Sequence, residues 1–502
     1  MSLRPLPAPT GVGQADPADA RRDLRIFWAF LALAVVVAIA TAATRFQANP
    51  ALAVMVGALV LLAGHRYLLA WPTLLGSVIV VILFIPIRRY SLAGGLPIAI
   101  EPYRLLIAVV LLAWLFAMLA DPETRWRRAR VEAPLAGFTV ALLASLALNI
   151  GHINSEGISN PVFKQVSFLL SFVLVTYFVS SVITRYRQLD ALAMLMVAGG
   201  AVVALSSVVE WRTGFNVFNH LERVVPLLHL DADSTAGSPA RGIRTRAYAS
   251  SQHPIALGAA LVLLLPLAIY LFRRFRQPLW LAAAAALIFG ALATGSRTAV
   301  TMLVAELLVF LWIKRRETVR MLPLLVPLMI ACQIVMPGAL GTFRAILFPE
   351  DGLIAEQRGG GTGTGTGRVA DLGPALDELA RTPFFGQGFG TRLTSDTDAV
   401  VNAPILDNEW LGTLLEVGVV GGLFLLWLYV RSVRQLARAA KPDETPRGWL
   451  MAALAAAIAA FAVGMLTFDA FSFIQVTVLS FVLLGMGAAA LRQPRGPEPS
   501  RA

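Results

Sequence analysis

PFFGQGFGTRLTSDTDAVVNAPILDNEWLGTLLEVGVVGG, residues 383–422, runs without a break from a glycine-rich polar segment into an apolar helix. The apolar part continues through LFLLWLYV, so 406–430 is long enough to cross a bilayer core, which takes about 20 apolar residues. A membrane helix with a chemically loaded loop at its mouth sets the pattern for the whole chain. A second piece, Thr294-Gly295-Ser296-Arg297-Thr298, plants an arginine at a helix start and is expected on the same side.

Composition agrees. Of 502 residues, 57% are hydrophobic and 14% charged, with a mean hydropathy of +0.71, which excludes an ordinary water-soluble globular protein. The net charge of +12 does not indicate nucleic-acid binding, because the basic residues fall in short segments between apolar runs, where they set topology. The single cysteine, Cys332, lies in an apolar run and carries no disulfide.

The expected fold is an all-α polytopic membrane protein with about 14 transmembrane helices. Arginine and lysine accumulate after alternate spans, as in Arg125 to Arg130, Arg273 to Arg276, Lys314 to Arg320 and Arg431 to Lys441. The positive-inside rule then places both termini in the cytoplasm. On this reading 1–26 is a cytoplasmic tail, 27–209 a bundle of seven helices beginning with spans at 27–43 and 51–64, and 210–253 an outer loop. Residues 254–336 form helices eight to eleven, 337–405 a second outer loop, 406–490 the last three helices and 491–502 a cytoplasmic tail. Two outer segments of this length are expected to hold the function. The first carries Leu221, Val225, Leu228 and Leu230, read as a short interfacial helix. The second carries the linker GGGTGTGTG, 359–367, and a surface helix started by Pro374.

Several residues have the chemistry of an anion site. Arg297 sits where a helix amino end is already partly positive, which favours a nearby phosphate held by the guanidinium fork; snorkelling to the interface is the structural alternative. Arg241, Arg244 and Arg246 precede the helix at Pro254 and either bind a diphosphate or solvate the loop. Arg88, Arg89 and Arg104 break the positive-inside trend and are candidates for lipid phosphate contacts or ordinary head-group contacts. His253 is an acid, a base or a cap beside Pro254.

Asp407, Asn408 and Glu409 open the helix that follows the second loop, with Asp407 read both as helix cap and as general base. Glu416 and Glu306 are acids deep in apolar helices, where a carboxylate needs a partner or a cavity. Gly418 and Gly422 read as a close helix approach. The pairs Asp231/Asp233 and Asp396/Asp398 have the spacing of a metal-diphosphate motif, but solvated loop is the simpler reading; no His/Cys cluster has metal-ligand spacing and no cofactor is indicated.

Taken together, EWRTGFNVF (210–218), RTRAYASSQHPIALG (244–258), TGSRTA (294–299), PFFGQGFGTR (383–392) and DNEWLGTLLEVGVVGG (407–422) resemble the O-antigen polymerase and O-antigen ligase superfamily of bacterial polysaccharide assembly. The resemblance implies glycosyl transfer on the outer face of the bacterial inner membrane. Donor and acceptor are oligosaccharides carried on polyprenyl diphosphate, membrane lipids surround the site, and a chain-length regulator is a possible partner. It implies that Arg244 or Arg246, together with Arg297, hold the donor diphosphate. Where the ligase pattern has His-Asn this chain has Asp407-Asn408, which favours a polymerase over a ligase that transfers to lipid A core. A lipid-linked oligosaccharide flippase is the alternative from another class; two long outer loops and the absence of an evident internal repeat speak against it.

Overall fold

The computed structural model describes residues 69–92, 101–122, 124–225, 227–231, 240–241, 244–339, 370–393, 402–403 and 406–494, with positions 341, 344, 348 and 352 between them. The expected spans 27–43 and 51–64, the tail 1–26, the 359–367 linker, and Asp233, Asp396 and Asp398 lie outside the described residues.

Among the described residues the chain is mainly helical. In order it forms α1 (Trp71–Phe84), β1 (Tyr90–Leu92), α2 (Pro102–Ala120), α3 (Glu132–Leu148), α4 (Ile150–Ser155), α5 (Ser159–Val182) and α6 (Tyr186–Thr213). Short strands β2 (Leu228–Leu230), β3 (Ala240–Arg241) and β4 (Arg244–Thr245) follow, then α7 (Pro254–Phe275), α8 (Pro278–Ala293) and α9 (Arg297–Ile313). The chain finishes with α10 (Arg315–Val335, with a 3-10 turn at Leu322–Leu324), α11 (Leu372–Leu379), α12 (Glu409–Ala440), α13 (Pro446–Gly464) and α14 (Ile474–Arg492).

Eight of these helices, α2, α5, α6, α7, α10, α12, α13 and α14, are long and apolar enough to cross a membrane, and α1, α3 and α8 are shorter apolar helices. A bilayer offers backbone groups no water, so an apolar chain of this composition satisfies them within helices. The most enclosed are α7, α13 and α14. Alanine-rich α13 is packed by α7, α9, α12 and α14, its small side chains letting four neighbours approach at once. At the periphery, α10 exposes Val326, Met329, Ile330 and Ile334.

Three details differ from the sequence reading. Helix α12 runs on to Ala440, so Arg431, Arg434 and Arg438 extend the helix rather than form a connecting segment. The first long connection does not form the expected helix across Leu221 to Leu230. A 3-10 helix covers Val217–Arg223, and the chain then turns into β2, which pairs antiparallel with β1 as Tyr90↔Leu230, Ser91↔His229 and Leu92↔Leu228. The pairing gives the backbone partners that an isolated segment lacks, and it ties the α1 end to this connection. Helix α11 starts at Leu372 rather than at Pro374, and it exposes Leu376 and Ala380 while Leu379 packs towards Ala375, Leu406, Leu411 and Leu415.

Candidate active site

The 383–422 stretch folds back on itself. Helix α12 is broken at Gly418, where φ is 75° and ψ −177°, and the segment 383–388, which turns over Pro383 to Phe385, docks against the break. Gln387 N–H donates to Leu415 O at 2.9 Å and Gly388 N–H to Glu416 O at 3.1 Å; Val419 N–H donates to Pro383 O at 2.8 Å and Val420 N–H to Phe384 O at 3.3 Å. Ser145 on α3 adds its hydroxyl to Glu416 O at 2.6 Å, and Asn149 reaches Gly386 O at 3.1 Å. The break therefore leaves its carbonyls satisfied, as a low-dielectric site demands. Glycine is required on both sides of this contact. A Cβ on Gly418 would lie 2.2 Å from Phe384 O and one on Gly386 2.5 Å from Glu416 C, and both residues have positive φ. The expected close approach at Gly418 is thus made by a loop, not by a helix.

This docking decides where the acids go. The Glu416 carboxylate accepts backbone N–H groups of Gly390 and Arg392, so it holds the loop. Arg392 in turn pairs with Glu378 of α11. Glu306 is 3% exposed on α9, and its Oε1 makes no hydrogen bond. At the start of α12 the cap is Asn408, whose Oδ1 accepts from Leu411 N–H at 3.1 Å, rather than Asp407. Glu409 turns inward, taking Phe471 N–H at 2.9 Å and the Thr413 hydroxyl at 3.2 Å, which fastens α12 to the 465–473 connection. Trp410 donates its indole N–H to Ala462 O at 2.8 Å. Asp407, half-buried, stands just outside this seam.

The connection between α13 and α14 carries an acid that sequence reading passed over, Asp469. Its carboxyl is pushed up to about 7, chiefly by burial and further by the negative charge of Asp407, while the Ser472 hydroxyl and Arg88 oppose the shift. Asp371, ahead of α11, is also raised by burial and by Asp407. Arg88 is exposed with a φ of 63°, a left-handed conformation that a residue with a Cβ seldom adopts. The same connection reaches α9, since Thr467 Oγ1 donates to Thr298 Oγ1 at 3.0 Å.

The arginines separate into two kinds. Arg246 Nε donates to Thr294 O at 2.8 Å, and Ala247 N–H to Ala293 O at 3.2 Å. The segment leaving β4 is thereby laid along the end of α8, three residues before Arg297 at the amino end of α9. Arg297 is half-buried. Arg89 does not take the expected outer-edge position. It is 2% exposed, and its guanidinium donates to Asn219 Oδ1 at 2.7 Å, to Ser251 O at 2.7 Å and to Ala249 O, lying 4.7 Å from the Tyr248 ring. Burial lowers it to about 10. Arg104 pairs with Glu101 at 2.8 Å. For Arg241 and Arg244 the structure describes the backbone, in which the two residues pair across the antiparallel β3 and β4.

His253 caps α7, its Nδ1 accepting from Ile255 N–H at 3.2 Å, and its ring stacks on Phe473 at 5.7 Å. Burial, then Arg246, lowers it to about 4. Asp231 accepts from Ser91 Oγ at 3.2 Å. Among the described residues no group of three His, Cys, Asp or Glu side chains could hold a metal ion.

The fold is that of a multi-spanning helical membrane protein in which Asp407 lies within electrostatic reach of Asp371 and Asp469, and Arg88 of Asp469. Residues 282–426, from α8 to the middle of α12, match the model of the family described as O-antigen ligase, so the likeness to the O-antigen polymerase and ligase superfamily holds over this segment. It takes in Arg297, the docked glycine loop, Asp407 and Glu416, and leaves out Arg246 and Asp469. No curated protein matches the chain.

Proposed function

We propose that this protein is a glycosyltransferase that joins oligosaccharide repeat units carried on polyprenyl diphosphate, working at the outer face of the bacterial inner membrane. The observation that carries this reading is the bond from Arg246 to Thr294 O, three residues before Arg297 at the amino end of α9. Two guanidinium groups near free helix N–H groups suit a diphosphate. Arg244, Arg241 and Arg88 are secondary donors in this scheme, whereas Arg89 acts through the loop it holds. The fourteen-span topology with both termini inside belongs to the same proposal, since it sets the site outside.

In the reaction, an acceptor sugar hydroxyl attacks the anomeric carbon of the donor. A new C–O bond forms, the bond from that carbon to the diphosphate oxygen breaks, and the leaving polyprenyl diphosphate keeps the electron pair. Asp407, close to Asp469, takes the hydroxyl proton. The arginines stabilise the charge that develops on the leaving group. Glu416 supports the site through the docked loop. No metal or cofactor enters this scheme.

The ligase reading is supported by the description of the matching family; it differs in the acceptor, lipid A core instead of a second lipid-linked unit. A deletion strain tests the proposal. Unpolymerised lipid-linked repeat units accumulating on the outer leaflet, with lipid A core still accepting single units, agree with a polymerase. Polymer that forms but never reaches lipid A core indicates a ligase, and accumulation on the inner leaflet indicates transport.

A further inference from the structure

We propose that Glu210 and Arg89 are a pair of positioning residues that hold the Tyr248–Ser251 turn from opposite sides and so set where Arg246 lies against the start of α9; the catalytic consequence rests on the function proposed above. Glu210 closes α6, in EWRTGFNVF. Its Oε2 accepts Ala249 N–H at 2.8 Å and Tyr248 N–H at 3.2 Å, and its Oε1 accepts from Asn216 Nδ2 at 3.1 Å. From the other side Arg89 donates to the carbonyls of Ala249 and Ser251, and Asn216 Nδ2 adds a bond to Ala249 O at 3.1 Å.

Both polar groups of Ala249 are thus gripped by buried side chains of opposite charge, and Ala249 has a φ of 41°, in the left-handed region that favours glycine. Two buried charges facing each other across one residue neutralise each other only while the turn keeps this shape. The turn is also pinned at its far end. Ser251 Oγ bonds to Gln475, Gln475 donates to Ile82 O at 2.8 Å, and Gln252 Nε2 donates to Ser472 O at 3.1 Å. Arg246 lies two residues before the turn and Ser472 three residues after Asp469. One clamp therefore fixes the spacing between the anion-binding side of the site and its carboxylate side. Neither Glu210 nor Arg89 reaches the reacting atoms in this arrangement.

The test uses the purified full-length protein with Glu210→Gln, Ala249→Gly and the two combined. Amide hydrogen exchange is expected to quicken in Glu210→Gln at 246–251 and also at 294–297, while the cytoplasmic helix ends keep their protection. Farnesyl diphosphate, as a soluble probe, is expected to bind about tenfold more weakly to Glu210→Gln, the usual scale of a lost charged hydrogen bond. Ala249→Gly in the same chain is expected to restore most of the binding, because glycine adopts the turn without the clamp.

Faster exchange confined to 246–251, or no rescue by glycine, overturns the inference. If Glu210→Gln does not fold, Arg89→Lys is the second variant, expected to show the same exchange pattern and the same rescue, with the opposite results overturning the inference. If the wild type does not bind farnesyl diphosphate, the proposed function fails, and the exchange at 294–297 still decides the positioning role.

Discussion

Arg246 and Thr294 meet through a single bond, Nε to carbonyl oxygen at 2.8 Å, and that bond brings a residue of the 210–253 connection to within three positions of Arg297. Since both arginines are proposed to act on one diphosphate, their effects should not add. Arg297→Ala and Arg246→Ala are each expected to lower transfer about a hundredfold, the scale of one lost donor to a developing oxyanion, and the double variant by clearly less than the product. Rates from all four corners of this cycle, measured with one lipid-linked donor, check the coupling.

The broken helix gives a stability prediction. Gly418→Ala places a Cβ 2.2 Å from Phe384 O at a φ of 75°. Overpacking and a left-handed alanine together are expected to cost about 3 kcal/mol or more, whereas Gly412→Ala, with open space around its Cβ, should be near neutral. Thermal unfolding in detergent, followed by the fluorescence of the native tryptophans, compares the two.

Asp469 gives a pH dependence. Its carboxyl, pushed up to about 7 from 3.8, holds a proton in the folded protein that the unfolded chain has already released. Its contribution to stability is therefore lost as pH rises from about 4 through about 7. A rate that needs the ionised Asp469 beside Asp407 rises through the upper part of the same window. Asp469→Asn should remove both slopes, which unfolding curves and initial rates between pH 5 and 8.5 would show.

His253 is expected to stay neutral over that range, since burial and Arg246 lower it to about 4. His253→Asn keeps a capping side chain, so stability should fall by no more than about 1 kcal/mol and the pH profile should keep its shape. A lost inflection near 6.5 would assign the proton transfer to His253.

The membrane fold was legible because a polytopic chain declares its helices through runs of apolar residues. Most of the apolar run read at 406–430 lies within α12, which begins at Glu409. The glycine-rich loop and the helix it enters were also visible as one stretch. Their docking was not, because nothing in the spacing of Gly386, Gly388 and Gly418 says that carbonyls of Leu415 and Glu416 are left open to a loop. Asp469 escaped notice since it occupies a connection of a few residues between two apolar runs, and only packing of α13 against α12 brings it to Asp407. Arg89 was singled out for its charge at an outer edge, but sequence does not show that Ala249 and Ser251 offer their carbonyls to it. The signal for Glu210 was its place in EWRTGFNVF, an acid at the end of an apolar helix.

Glycan extension in vitro tests the central claim most directly. The purified protein is given a polyprenyl-diphosphate-linked repeat unit, and wild type is compared with Arg297→Ala and Asp407→Asn. A ladder of longer lipid-linked glycans from the wild type, lost in Arg297→Ala and strongly reduced in Asp407→Asn, is the predicted result. A ladder that persists undiminished in Arg297→Ala, or no transfer to either a lipid-linked unit or lipid A core, would contradict the account.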